Sequence, residues 1–428
     1  MSTKLDTSLP PQSTIDENIQ LLGVEHTIFP NGVDLYSISA GIKEVIKIEF
    51  SFRAGSKFQS KSLQANTVNQ LLKNGTHSKS QLEINSKIEE FGAFLENTTS
   101  YDFASLSLYT LNKNLEKVIG SVKEMLFNSV FPQDEVDKFL QQQKQNFIVN
   151  QQKVSSVANM EFRKGLFGSG HPYGQIAQLE DFSRVDRTDL LEFHEKHYNL
   201  ANMQIFASGY VGEEQKQLLR ENFGNIESSG TVQKLNWDSF KVQQGSNIYI
   251  EKPDAVQSAI KIGKVLFTKE HPDFIPMQVL STVLGGYFGS RLMRNIREDK
   301  GYTYGIGSAV MSQQHAGFFM LATEVGVDVT QATLDEIYKE IELLKMKKVE
   351  EKELQLVKNY TFGKMMRGFD GAFSAMDKFI AAHMFGYDST YYEKKFKEIA
   401  AISPSRLLSL ASEYLDQDSL LQVVVGKK

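Results

Sequence analysis

The chain contains no cysteine. That absence removes disulfides, thiolate metal sites and cysteine nucleophiles together, and it leaves the redox compartment open. Long apolar runs are also missing. No stretch approaches the roughly 18 apolar residues that a membrane-spanning helix needs. The opening residues, M-S-T-K-L-D-T-S-L-P-P-Q, carry no apolar h-region. The expected location is therefore the cytoplasm, or the periplasm if a signal peptide has been removed. Positive charge is not in excess either. Lys and Arg number 47 against 52 Asp and Glu, a net charge of −5 with a pI near 6.0. Such a balance offers no basic field to nucleic acid or to an anionic membrane.

What is present describes a globular protein with ample core: 428 residues, 41% hydrophobic and 23% charged. That length predicts two or more domains. After a polar tail (1–20), alternating patterns predict strands at 29–40, around a Pro30-Asn31-Gly32 turn, and at 45–54. Helices follow at about 62–73 and 81–91, then strands at 93–99 and 102–110. Long helices are predicted at 113–128 and 132–160, then a helix ending near Tyr198 and a strand at 203–211. The second half repeats the order, with strands at 248–251, 258–267, 302–312, 317–324 and 420–425. Y-N-L-A-N-M-Q-I-F-A-S-G (198–209) parallels Y-L-D-Q-D-S-L-L-Q-V-V-V-G (414–426). The expectation is an α+β protein of two tandem homologous domains, each a largely antiparallel sheet packed with helices. The first would span 21–230 and the second 246–428, joined by a linker at 231–245.

Four segments are candidates for chemistry. A-N-T-V-N-Q-L-L-K-N-G-T (65–76) puts Asn66, Asn69 and Gln70 on one helical face. Asn is a middling helix former that prefers caps and turns, so the face is either merely solvated or a site relieved of an earlier duty. H-E-K-H-Y (194–198) sets His194 and His197 one turn apart, a spacing that could hold a metal. No third ligand is close, which favours packing and capping roles. G-S-G-H-P-Y-G (168–174) lacks the strand-turn-helix context of a dinucleotide loop and reads as a turn. L-G-G-Y-F-G-S-R-L-M-R-N-I-R-E-D-K-G-Y-T-Y-G (284–305) carries the most information. Gly285, Gly286 and Gly289 allow a sharp turn, Ser290 could cap the next helix, and Gly301 suits its end. Arg297 and Tyr304 then meet at a helix–strand corner. A guanidinium with five donors and a rigid phenol suit a peptide carbonyl or an oxyanion. The other reading is an exposed basic helix beside an aromatic edge.

Taken together, F-R-A-G-S (52–56), the 65–76 segment, E-N-T-T-S-Y-D (96–102), H-P-Y-G (171–174), F-H-E-K-H-Y-N-L-A-N-M (193–203) and the 284–305 block resemble the pitrilysin/insulinase family of zinc proteases, which includes the mitochondrial processing peptidases. The resemblance covers nearly all of the chain. It implies one half of a two-halved clamshell chamber for peptides. The family's inverted motif, H-x-x-E-H, holds zinc on two histidines and activates water with the glutamate. Laid on this sequence, the histidine positions fall on Asn66 and Gln70 and the glutamate on Asn69. The third ligand, a glutamate expected near 145–152, falls in Q-N-F-I-V-N-Q-Q. The resemblance therefore implies no metal in this chain.

What the resemblance keeps is the second-domain block. In two-chain bacterial relatives, one subunit bears the zinc motif and the other the Arg/Tyr pair. It thus assigns Arg297 and Tyr304 an auxiliary catalytic role beside a homologous zinc-bearing partner subunit. The Gly285, Gly286, Gly289 and Ser290 turn resembles a loop that approaches substrate, a peptide or unfolded polypeptide. The strand at 96–102 resembles an edge that receives extended substrate by β-augmentation. The implied function is the non-catalytic, substrate-binding subunit of a heterodimeric zinc endopeptidase. The competing reading is a structural or assembly protein of the same fold without proteolytic work.

Overall fold

In the computed structural model, residues 21–227, 230–233, 235–237, 240–242 and 247–427 are described. The expected tail at 1–20 lies outside them, as does part of the expected linker at 231–245. The first half comprises β1 (Glu25–Ile28), β2 (Asp34–Ser39), β3 (Val45–Phe52), α1 (Gln64–Leu71), α2 (Gln81–Glu90), β4 (Phe94–Thr99), β5 (Ala104–Leu111), α3 (Leu115–Phe127), α4 (Gln133–Gln152), α5 (Val154–Phe167), α6 (Arg187–His197), β6 (Met203–Gly209) and α7 (Glu213–Leu219). The second comprises β7 (Ile248–Glu251), β8 (Gln257–Leu266), α8 (Phe274–Ser281), β9 (Thr303–Ser312), β10 (Gly317–Gly326), α9 (Thr330–Met346), α10 (Glu351–Arg367), α11 (Gly371–His383), α12 (Tyr391–Ala401), α13 (Pro404–Tyr414) and β11 (Leu421–Gly426). Among the described residues no helix is long and apolar enough to cross a membrane.

The strands form two sheets, ordered β1-β2-β6-β3-β5-β4 and β7-β11-β8-β10-β9. Apart from β1 the two orders are the same. β6 lies between a parallel β2 and an antiparallel β3. β11 lies between a parallel β7 and an antiparallel β8. The paired sequence segments at 198–209 and 414–426 are thus the matching central strands of a repeated α+β unit. The matching edge strands β4 and β9, like β1 and β7 at the opposite edges, each leave one row of backbone groups unpaired by a neighbouring strand among the described residues.

Each sheet buries one face under helices of its own half. Phe50, Phe52, Leu106 and Leu108 meet Val68, Leu72, Val118 and Val122 in the first core. Ile260, Ile262, Phe319 and Leu321 meet Leu280, Ile337, Leu354 and Leu407 in the second. The opposite faces are covered reciprocally. α5, from the first half, lays Ala158, Phe162 and Leu166 on Leu421, Val423 and Ala259 of the second sheet. α11, from the second half, lays Ala372, Ala375 and Met376 on Ile38 and Phe206 of the first.

This exchange explains a departure from the sequence reading, which gives one helix over 132–160. The chain instead breaks at Lys153, whose φ/ψ of −82°/126° is extended. α4 turns Val136 and Leu140 to the first core, whereas α5 must face the second sheet. One straight helix cannot serve both. The N-terminal strand also differs from expectation. β1 lies before the Pro30-Asn31-Gly32 turn, where no strand was predicted, and Gly32 takes the left-handed φ of 86° that the turn requires.

Candidate functional site

The amide face of α1 is not a solvated face. Only Asn66 is exposed; Gln70 is half-buried and Asn69 is 0% exposed. The Asn69 carboxamide nitrogen donates to the Thr98 carbonyl at 2.8 Å, the Thr99 hydroxyl at 3.0 Å and the Ser105 carbonyl at 3.2 Å. Its oxygen accepts from the Tyr198 hydroxyl at 3.2 Å. Gln70 donates to the Asn97 carbonyl at 3.2 Å, and Asn97 donates back to the Asn69 carbonyl at 2.6 Å. The amides therefore pin α1 to the β4–β5 hairpin. A glutamate at position 69 could accept but, when ionised, not donate, so it would face carbonyl oxygens without partners. Among the described residues no group of three His, Asp or Glu is placed to hold a metal ion.

The two histidines of α6 are directed at different neighbours. Nε2 of His194 lies 2.8 Å from the Leu126 carbonyl, and its ring stacks on Tyr198. His197 packs against Phe58 and Phe193. Burial holds both well below the usual imidazole range, at about 4. They are neutral core groups, as the packing reading of H-E-K-H-Y expects.

The 284–305 block builds a different kind of corner. α8 runs into a π-helical turn, Thr282–Gly286, and a second π-helical stretch covers Met293–Asp299. Such wide turns frequently mark functional sites. Gly285 sits against β9 so closely that an added Cβ would lie 2.8 Å from the Ser308 nitrogen. Gly301, at φ +68°, ends the helical stretch in the left-handed region, as predicted. Nε of Arg297 donates to the Tyr304 carbonyl at 3.1 Å, and its guanidinium lies 4.3 Å from the centroid of the Phe288 ring. The side chain of Tyr304 makes no hydrogen bond among the described residues, and the residue is 99% exposed on the edge strand β9. Arg297 and Tyr304 are thus brought together, with the phenol presented outward. The turn differs from expectation. Ser290 is buried and its hydroxyl makes no hydrogen bond among the described residues, so the predicted side-chain cap is absent. Gly285 is also buried, so only Gly286 and Gly289 of the four turn candidates are open to a ligand.

Beside Tyr304 lies a cavity of about 470 Å³ whose lining includes Lys261, Glu324 and, from α5, Ser155 and Asn159. Both halves of the chain therefore shape the ground next to the phenol. The sequence reading missed this, because only the reciprocal packing of α5 brings it there.

It also missed the polar joint between the halves. Nζ of Lys57 sits 2.9 Å from Asp102, and the Tyr173 hydroxyl donates to the same carboxylate at 2.7 Å. From the second half, the Gln314 backbone N–H donates to Asp102 at 3.1 Å, and the Gln314 side chain accepts from Lys57 at 2.6 Å. Burial lowers the Lys57 ammonium's pKa, and burial beside Asp102 raises that of the Tyr173 phenol. H-P-Y-G, read as a turn, supplies Tyr173 to this joint. Its Gly174 is needed, since a Cβ there would meet the Gly168 carbonyl at 2.1 Å.

Comparison with known proteins places these features. Residues 37–167 match the model of Insulinase (Peptidase family M16), and residues 184–360 match that of the Peptidase M16 inactive domain. A Bacillus subtilis (strain 168) protein described as the zinc protease YmxG is 21% identical over 353 residues, 82% of this chain and 85% of its own. Among solved structures, the peptidase M16 inactive domain from Pseudomonas fluorescens superposes with a TM-score of 0.86 at 21% identity, covering 95% of this chain and 99% of its own. A protease from Helicobacter pylori gives 0.85 at 19% identity, with 95% and 100% covered. The two family models together match well over half of the chain, and it belongs to the insulinase family of peptidases, as a member without the inverted zinc motif.

Proposed function

We propose that this chain is the non-catalytic, substrate-binding half of a heterodimeric zinc endopeptidase. It completes a peptide chamber and lends Arg297 and Tyr304 to a homologous subunit that carries the zinc. The observation that supports this most is the pairing of two opposite states in one molecule. Where the family holds zinc, Asn69 is committed to structural hydrogen bonds. At the second-half corner, Tyr304 stays exposed on an edge strand while Arg297 donates to its backbone carbonyl. A carbonyl laid along β9 would find the outward phenol of Tyr304 and the remaining N–H donors of a guanidinium already anchored to the same strand.

Purification of the chain alone and with a family member bearing H-x-x-E-H tests the reading. The pair is expected to contain zinc and to cleave peptides, and the lone chain to do neither. Stoichiometric zinc and cleavage in the lone chain contradict it. A pair that forms but never cleaves any peptide favours the structural or assembly role instead.

A further inference from the structure

A second cavity lies behind the turn that precedes the Arg/Tyr corner. It is a partly open cleft of about 310 Å³ between α8, α10, α11, α12 and the strand β9. Three lysines line it, Lys364 from α10, Lys378 from α11 and Lys395 from α12, together with the phenols of Tyr360 and Tyr392. No carboxylate lines it. None of the three lysines forms an ion pair among the described residues. The Lys395 ammonium rests on a neutral partner, the Gln278 side-chain oxygen at 2.7 Å. Burial, followed by the like charges of Lys269 and Lys378, depresses its pKa to about 8, and Glu398 offsets this only from beyond ion-pair distance. A fourth ammonium, Lys269, stands nearby, bonded to the Ala381 carbonyl and lying over the Phe385 ring.

Lys364 is exposed and Lys378 and Lys395 are half-buried, so the cluster gathers positive charge without a counter-charge at a site that a solvent-borne anion can reach. A cavity of this size suits a small ligand. No arginine lines it, so the planar fork that grips carboxylate and phosphate alike is missing, and recognition rests on lysine point charges, which bind phosphate and favour a compact anion of high charge density.

We propose that this lysine-lined cavity is a binding site for a compact phosphoryl anion carrying at least two negative charges. Its location gives the ligand a route to the Arg/Tyr corner. Gly286 and Ser308 form part of the wall, and Tyr360 packs on Tyr287 with ring centroids 5.1 Å apart. An occupied cavity would draw α10, α11 and α12 together behind the 282–290 turn. The site stands on residues of this chain alone and does not depend on the zinc-partner reading.

The test is titration calorimetry on the full chain in phosphate-free buffer, with pyrophosphate as probe. Saturable one-site binding is expected, weakened by about tenfold or more in Lys378→Gln and in Lys395→Gln, as the loss of a charged hydrogen bond predicts. Lys352→Gln, an exposed lysine outside this cavity, should bind as the unaltered chain does. Pyrophosphate should raise the melting temperature of the unaltered chain more than that of either cavity variant. If Lys395→Gln does not fold, Lys378→Gln carries the test. Absence of saturable heat at millimolar pyrophosphate overturns the site, as does binding that survives both substitutions. Citrate binding as tightly as pyrophosphate overturns the phosphoryl assignment. Orthophosphate and glucose 6-phosphate, titrated in parallel, distinguish a free inorganic anion from a phosphate ester, and tighter binding of either supports the site.

Discussion

Asn69 and Asn97 hold each other's chains. The Asn97 side chain donates to the Asn69 backbone carbonyl at 2.6 Å, while the Asn69 carboxamide donates to the carbonyl of Thr98, the neighbour of Asn97. The helix that bears zinc elsewhere in the family is here a structural staple. Asn69→Asp preserves shape but replaces two N–H donors with an acceptor facing carbonyl oxygens. A buried charge that faces carbonyl oxygens and keeps only the Tyr198 hydroxyl as a donor should cost about 3–5 kcal/mol. Chemical denaturation at neutral pH measures it, and a loss below about 1 kcal/mol, the size of an ordinary net hydrogen bond, contradicts the staple.

The polar joint makes a separable prediction. Lys57→Met leaves Asp102 buried without its ammonium and should destabilise the chain by about 3–5 kcal/mol. Adding Asp102→Asn should recover part of that loss, because the orphaned charge goes with it. Equilibrium unfolding of both single variants and the double variant measures the coupling. Strictly additive losses would show that the two side chains do not act as a pair.

The exchange of α5 is tested at Phe162, which is 3% exposed against the second sheet. Phe162→Ala should cost about 3–5 kcal/mol, the usual range for emptying a buried aromatic site. Because α5 belongs to one half and its bed to the other, hydrogen exchange should speed up along β8 and β11 as well as along α5. Faster exchange confined to α5 would contradict the reciprocal packing.

These elements show what could be read from sequence. The match of 198–209 with 414–426 was legible because both segments keep one apolar strand pattern, and they become β6 and β11. The Arg297/Tyr304 corner was legible because Gly301 fixes the turn between them. The break at Lys153 was not, since neither Pro nor Gly marks it and only the competing beds of α4 and α5 impose it. The burial of Asn69 was not legible either, because its partners come from β4, β5 and Tyr198, far along the chain. Three lysines on three separate helices gave no local signal at all.

Acid should unfold the chain partly through His194. Burial holds its folded-state pKa near 4, below the unfolded value of about 6.5. Between those values the unfolded chain binds the extra proton. The contribution is therefore complete above pH 6.5 and is lost as pH falls toward 4, up to about 3 kcal/mol in total. His194→Gln should flatten the stability–pH curve across that window. An unchanged slope in the variant would contradict the assignment.

The central claim rests on the phenol of Tyr304. Tyr304→Phe removes one hydroxyl from a side chain exposed to solvent and should leave the fold intact. The deciding measurement is kcat/KM for peptide cleavage by the complex of this chain with the proposed zinc-bearing partner, with zinc content checked in parallel. The account predicts a fall of about 10²–10³-fold, as for loss of one oxyanion donor, with zinc and assembly unchanged. Cleavage at the unaltered rate by the Tyr304→Phe complex would contradict it.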